Sequence, residues 1–343
     1  AWKPDLLATA IICLICLAVL GYAVSLPASA QTDRNKLVAE RYLLELGTAE
    51  FAAAAAATEA ANHRLLRHEF ENLKYNADDP ILSVAMQPDF VAIADRRNTI
   101  TRFIAEGDTV AATLRVTGAH HGNFYGIAAT GKDIDIATGA ILRFENGKIV
   151  ESWFMAEEAR LLRQLGARLP ARQDGRLNLP PVHDDTRTYD EALQELERNP
   201  VDTPEYRHKR LMLSYKATNR PADYTFTGRP YQNLQRGGIA NIVERGAELG
   251  IDGAFGQSMH GRQDMLATIV AEGDSAMMSF RLTANNSGPL YGIPPSGNDL
   301  QVWELGFAEF DGDTWAEAWW MLDELGFLLT NANEEALDYL TRE

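Results

Sequence analysis

The chain has 343 residues, 46% of them hydrophobic, and a formal net charge of −16 at pH 7. That length accommodates two ordinary domains with sizeable cores, and the hydrophobic content excludes a disordered tail. Such acidity repels phosphates, which argues against nucleic acid and anionic membrane surfaces as partners and leaves small neutral ligands open.

At the start, Lys3 precedes an apolar run over residues 6–26, then "PASA", then polar "QTDRN". Ala28 and Ala30 fit the A-x-A cleavage pattern, so residues 1–30 read as a signal peptide of a periplasmic or secreted protein. The alternative is a membrane anchor formed by residues 6–26, which approach the ~20 residues needed to cross a bilayer. The two cysteines, Cys13 and Cys16, both sit in this run as apolar filler. The rest of the chain therefore has no thiolate nucleophile, disulfide or cysteine metal site.

"NKLVAERYLLEL" carries apolar residues at helical spacing, and the alanine run 52–57 is strongly helix-forming. His63 and His68, in "NHRLLRHEF", are placed on a helix five residues apart, which puts them on different faces in solvent. "DTVAATLRVTGAH", "DIDIATGAILRFENG" and "KIVESWFM" read as strands, with "ENGK" as a turn. The proline- and charge-rich "ARLPARQDGRLNLPPVHDDTR" reads as linker, and "TYDEALQELERNP" as a short charged helix stopped by Pro200. Helices follow in "PEYRHKRLMLSYKAT" and "GGIANIVERGAEL", and then strands again.

Residues 105–162 and 271–328 align without a gap at a constant offset of 166, and 18 of 58 positions are identical. Chance would give about three or four. The shared positions include "AEGD" (105–108 and 271–274), "YGI" (125–127 and 291–293) and a closing Glu-x-Trp-x-Met. So long a period means two whole domains rather than a solenoid. The units are then domain one over 34–169, a linker over 170–200, and domain two over 201–343. Helices first and antiparallel strands after argue an α+β fold in each.

"AEGDTVAATLRVTGAHHGNFYGIAATGK", "LRFENGKIVESW" and "LLRQLG" resemble the SnoaL-like polyketide cyclase (ester cyclase) family. The second copy does so through "AEGD", "YGIPPSGNDL" and "EAWWMLDELGFL". The resemblance implies two tandem nuclear transport factor 2-like cones, each a curved antiparallel sheet packed on helices around a pocket. It also implies an intramolecular aldol closure with no metal and no cofactor, using a carboxylic acid four residues after a Trp. Those positions are Glu157, after Trp153, and Asp323, after Trp319. The family's Thr-Gly-x-His-x-Gly pattern is kept with His120 in the first copy, while the second has Asn286.

Strand alternation gives a separate argument for the pocket. Glu151, Trp153, Met155 and Glu157 share one face, as do Glu317, Trp319, Met321 and Asp323, while the opposite faces are mostly apolar and suit packing on helices. Tryptophan and methionine are poor choices for a solvent face, so this face is expected to line a cavity that binds a small hydrophobic molecule. An acid desolvated by indole and thioether becomes a better base near neutrality. Asp323 is the first candidate base and Glu157 the second, with an indole N–H or His120 as donor. Both acids also suit a purely structural place at a helix N-terminus. His120 and His121 are adjacent, so only one faces inward, and no matched ligands suggest a metal. Ser258 in "GQSMHG" is no nucleophile elbow. Two functions follow: acid/base chemistry on a hydrophobic carbonyl compound, of aldol cyclase or isomerase type, or a non-catalytic binding module or tandem pseudo-dimer.

Overall fold

The protein is described by a computed structural model covering residues 28–79, 87–172, 186–225, 234–237, 259–289 and 294–331. The apolar run with its cysteines, "GGIANIVERGAEL" beyond Gly237, Ser258 and Tyr291–Ile293 lie outside the described residues. No described helix is long and apolar enough to cross a membrane.

The first half runs α1 (Ala28–Glu45), α2 (Phe51–Thr58), β1 (Glu59–Arg67), α3 (Glu71–Ala77), α4 (Asp89–Ala92), β2 (Ile93–Glu106), β3 (Thr109–His120), β4 (Asp133–Glu145), β5 (Lys148–Ala156) and α5 (Glu158–Leu165). Its sheet has the order β1-β5-β4-β3-β2, antiparallel except where β1 joins β5. The second half runs β6 (Arg187–Thr188), α6 (Tyr189–Glu197), α7 (Pro204–Lys216), β7 (Leu234–Gly237), β8 (Met259–Glu272), β9 (Ser275–Asn286), β10 (Asp299–Asp311), β11 (Thr314–Leu322) and α8 (Glu324–Asn331). Its sheet order is β6-β8-β9-β10-β11-β7. The architecture is α+β, two tandem cones of helices under curved sheets.

Two local readings change. His63 sits on β1 rather than on a helix, half-buried, with Nε2 2.9 Å from Ser152 Oγ. The apolar pairs in this short segment fit either period, and pairing with β5 decides it. Residues 187–197, read as linker, belong to the second core. A capping box between Thr188 and Glu191 starts α6, and Tyr189, Ala192 and Leu193 are buried against Met212, Leu213 and Phe280.

The same bulge bends the first long strand of each sheet. In β2 it falls between Ala94 and Arg97, with Asp95 at φ 51°; in β8 it falls between His260 and Gln263, with Gly261 at φ 67°. Bulges re-aim side chains, and these turn Arg96 and Arg262 inward. The repeat therefore extends upstream of Ala105 at the same offset.

The two sheets pack face to face. Ile104, Ala111, Ile141, Trp153 and Met155 from the first form one buried cluster with Val270, Met277, Trp303, Leu305, Phe307, Trp319 and Met321 from the second. Close approach depends on Gly139, where a Cβ would lie 2.5 Å from Leu305 Cδ2 and 3.2 Å from Met321 Cε. The repeated "AEGD" acquires a role here. Ala105 N–H donates to Glu272 Oε2 at 3.0 Å, and Ala271 N–H donates to Glu106 Oε2 at 2.9 Å. Lys36 and Lys209 complete this reciprocal clasp by pairing with Glu272 and Glu106.

Candidate active site

The face assignments of β5 and β11 hold, but what covers the Trp-Met face does not match expectation. Trp153, Met155, Trp319 and Met321 lie between the two sheets rather than around a hollow inside either cone. Large apolar side chains mark a face that leaves water, and a second sheet satisfies that as well as a ligand would. Glu151 pairs with Arg143 at 2.6 Å and with Arg64, and these hydrogen bonds lower its carboxyl to about 2. Such an acid stays ionised and makes a poor proton acceptor. Glu317 is exposed.

Asp323 is buried at the contact between domains. Its Oδ2 accepts from Arg67 at 2.9 Å, and its Oδ1 from Asn72 at 2.8 Å and from the Gly326 N–H at 3.1 Å. The last bond makes it the N-cap of α8, the structural place weighed above. Glu157 flanks the start of α5, and its Oε2 accepts from the Ala137 N–H at 2.8 Å and from Arg160 at 3.4 Å.

His120 does point inward and is fully buried. Its Nδ1 accepts the Thr130 N–H at 3.3 Å and lies 3.0 Å from Thr130 Oγ1, which assigns the ring proton to Nε2. Asn286 performs the same loop closure, with Oδ1 accepting the Ser296 N–H at 2.8 Å. What histidine adds is the buried Nε2–H, which has no hydrogen-bond partner among the described residues. Burial lowers its pKa, so the ring is neutral near pH 7.

Sequence reading missed the cluster that lies beside it in the first cone. Tyr125 and Gly126, with φ 48° and 84°, form the two central residues of a tight turn closed by paired bonds between Phe124 and Ile127, each 2.9 Å. Positive φ at both positions is the type I′ signature. The "YGI" motif thus aims the tyrosine, whose hydroxyl donates to Asp89 Oδ1 at 3.3 Å. Asp89 opens α4 half-buried, and its carboxyl is pushed up to about 6, first by burial and then by the nearby Glu69 charge. Tyr125 is raised well above its ordinary value by burial and the surrounding carboxylates, so it keeps its proton.

His68 packs edge-on to Tyr125, with centroids 6.3 Å apart. Its Nδ1 accepts the Phe70 N–H at 3.1 Å, and burial with nearby cations lowers its pKa to about 3. It is therefore a neutral imidazole carrying its proton on Nε2. Beneath the cluster, Glu69 is held by Arg96 through two bonds of 2.8 Å and by the Thr138 hydroxyl at 2.8 Å. Phe70 and Phe124 supply apolar wall, 4.9 Å apart and nearly perpendicular. Extending the repeat upstream would have exposed Arg96 and Arg262, and the repeated tyrosine pointed to Tyr125. Asp89 carried no pattern at all.

No group of three or more His, Cys, Asp or Glu among the described residues is arranged to hold a metal ion. The second cone holds a different polar set: Lys216 Nζ lies 2.6 Å from Asp264 Oδ2, with Arg262 Nε 2.9 Å from Oδ1 and Phe280 under the ammonium at 3.7 Å.

Residues 52–165 match the sequence profile of the SnoaL-like polyketide cyclase family. The first domain is SnoaL-like. Similar solved structures include a candidate SnoaL-like polyketide cyclase from Jannaschia sp. CCS1, with 17% identity over 41% of this chain and 97% of that one, and a TM-score of 0.33. AclR, a candidate hydroxylase from Streptomyces galilaeus, has 21% identity over 39% and 97% of the two chains, with a TM-score of 0.32. A SnoaL-like polyketide cyclase from Agrobacterium tumefaciens C58 has 20% identity over 37% and 94%, with a TM-score of 0.28. No curated protein sequence matches the chain. The profile stops at the end of α5.

Proposed function

We propose that the SnoaL-like first domain carries out acid/base chemistry on a hydrophobic carbonyl compound using its own side chains, as an aldol cyclase or isomerase would. The observation that carries this reading is the Asp89–Tyr125 pair: a carboxylate raised to about 6, touched by a hydroxyl, at the edge of an aromatic-walled interior. A base with a pKa near the working pH combines a useful ionised fraction with a strong driving force for proton transfer.

In the proposed step Asp89 removes a proton from the carbon beside the carbonyl. The C–H electron pair moves into the carbon skeleton, and negative charge develops on the carbonyl oxygen. A neutral imidazole N–H, from His68 or the buried His120, donates to that oxygen without contributing a full charge. The enolate then attacks a second carbonyl carbon of the same molecule, closing a ring, or takes the proton back at another carbon. The family resemblance supports the reaction class, and the second domain acts in this reading as the structural half of a covalently linked pseudo-dimer.

The test is exchange of the acidic α-protons of 2-tetralone in D2O, followed by proton NMR. The folded protein is expected to accelerate exchange, and Asp89→Asn to remove about 10²–10⁴-fold of that acceleration. Exchange at the wild-type rate in Asp89→Asn would overturn the assignment.

A further inference from the structure

The 166-residue offset pairs the two ends of the sheet–sheet contact, and the ends are filled differently. Trp153 corresponds to Trp319, Thr268 to Arg102, Arg143 to Glu309 and Glu151 to Glu317. At one end Arg102 crosses to the other domain and sets its guanidinium 5.3 Å from the Trp319 ring centroid, with Glu309 and Glu317 near it. At the other end the short Thr268 stands in its place. A cavity of about 340 Å³ opens there, walled by Thr268, Trp153, Trp303, Ile141 and Val270.

We propose that this cleft between the domains is a binding site for a small aromatic anion. Its walls supply the aromatic part, since Trp153 and Trp303 meet edge to face with centroids 5.7 Å apart and present both ring edges and faces to a planar guest. Charge supplies the anionic part. The filled end has two carboxylates, Glu309 and Glu317, for one arginine. At the open end the first of these is replaced by Arg143, which already neutralises Glu151 at 2.6 Å. Arg67 and Glu71 also line the cleft, with Arg67 taken by Asp323 at 2.9 Å and Glu71 accepting the His68 N–H at 2.7 Å. Among these lining cations Arg187 is the one held most loosely. Its 3.5 Å pairing with Glu195 joins side chains 43% and 62% exposed, a contact too weak to compete with a desolvated anion. This inference stands on the interface alone and does not rest on the chemistry proposed for the first cone.

The probe is 8-anilinonaphthalene-1-sulfonate, titrated into the folded protein with excitation of tryptophan, beside its uncharged analogue N-phenyl-1-naphthylamine. Thr268→Met, which puts a flexible side chain where Arg102 lies at the other end, is expected to weaken the sulfonate about tenfold or more. Arg187→Ala is expected to weaken the sulfonate about tenfold and leave the neutral analogue unchanged, with Arg187→Lys restoring part of the loss. Tyr125→Phe should leave the titration unchanged. Sulfonate binding that ignores Thr268→Met, that falls equally for both probes in Arg187→Ala, or that is lost in Tyr125→Phe would each overturn the proposal. Should Thr268→Met fail to fold, the two probes with the exposed Arg187 variants still decide it.

Discussion

Gly139 and Leu305 occupy the same position of the repeat, one in each domain, and they meet: the missing side chain of one makes room for the branched end of the other. Ala137 and Trp303, and Ala111 and Met277, show the same asymmetry across the offset. Each copy has changed size in the sense that suits a partner unlike itself. Gly139→Ala is expected to cost about 1–3 kcal/mol by overpacking, and Leu305→Ala about 2–5 kcal/mol by leaving a cavity. The double variant should be more stable than the sum of the two, because the added methyl enters the vacated space. Urea unfolding of the four proteins measures this, and strict additivity would contradict the contact.

Arg67 joins the domains through Asp323, both side chains being 6% exposed. Removing one member of a buried pair leaves the other charge uncompensated, at about 3–5 kcal/mol. Arg67→Met should therefore destabilise strongly, while Asp323→Asn, which keeps the cap acceptor, should cost less. Neither should abolish α-proton exchange in protein that remains folded. Loss of exchange in folded Asp323→Asn would return this acid to the chemistry.

The starts of α5 and α8 add a pH dependence. Glu158 is raised to about 8, chiefly by burial and then by Asp323, and Glu324 to about 7, chiefly by burial against the pull of Arg163. Both folded-state values exceed the ordinary 4.5, so the folded protein binds protons that the unfolded chain releases. The resulting stabilisation is full below about pH 4.5 and is lost as pH rises through 7 to 8. The melting temperature should fall between pH 6 and pH 9, and Glu158→Gln should flatten that fall. A melting temperature that rises over the interval in wild type would contradict the assignment.

Much of the fold was legible because it rests on local rules. The strand periods of 109–120, 133–145 and 148–156 and the Asn146-Gly147 turn follow from spacing and residue type. The faces of β5 were also legible, but their occupants were not. Alternation tells which side chains share a face, while only the assembled sheets show whether a ligand or a neighbouring domain covers it. Asp323 shows a related limit, since an acid after a strand and before a helix has the same sequence whether it caps, as Asp323 does through the Gly326 N–H, or catalyses. Asp89 is made interesting by Tyr125 and Glu69, residues 36 and 20 positions away, a proximity created by the bulged β2 and the Tyr125-Gly126 turn.

The most direct measurement is the pH dependence of 2-tetralone α-proton exchange. Since the ionised carboxylate is the base, the rate should rise through a midpoint near 6 and then level off. Tyr125→Phe removes a hydrogen bond that favours the charged form, so its midpoint should move upward, and Asp89→Asn should lose the titration altogether. A profile that persists in Asp89→Asn, or a midpoint that Tyr125→Phe leaves in place, would contradict the assignment of this pair.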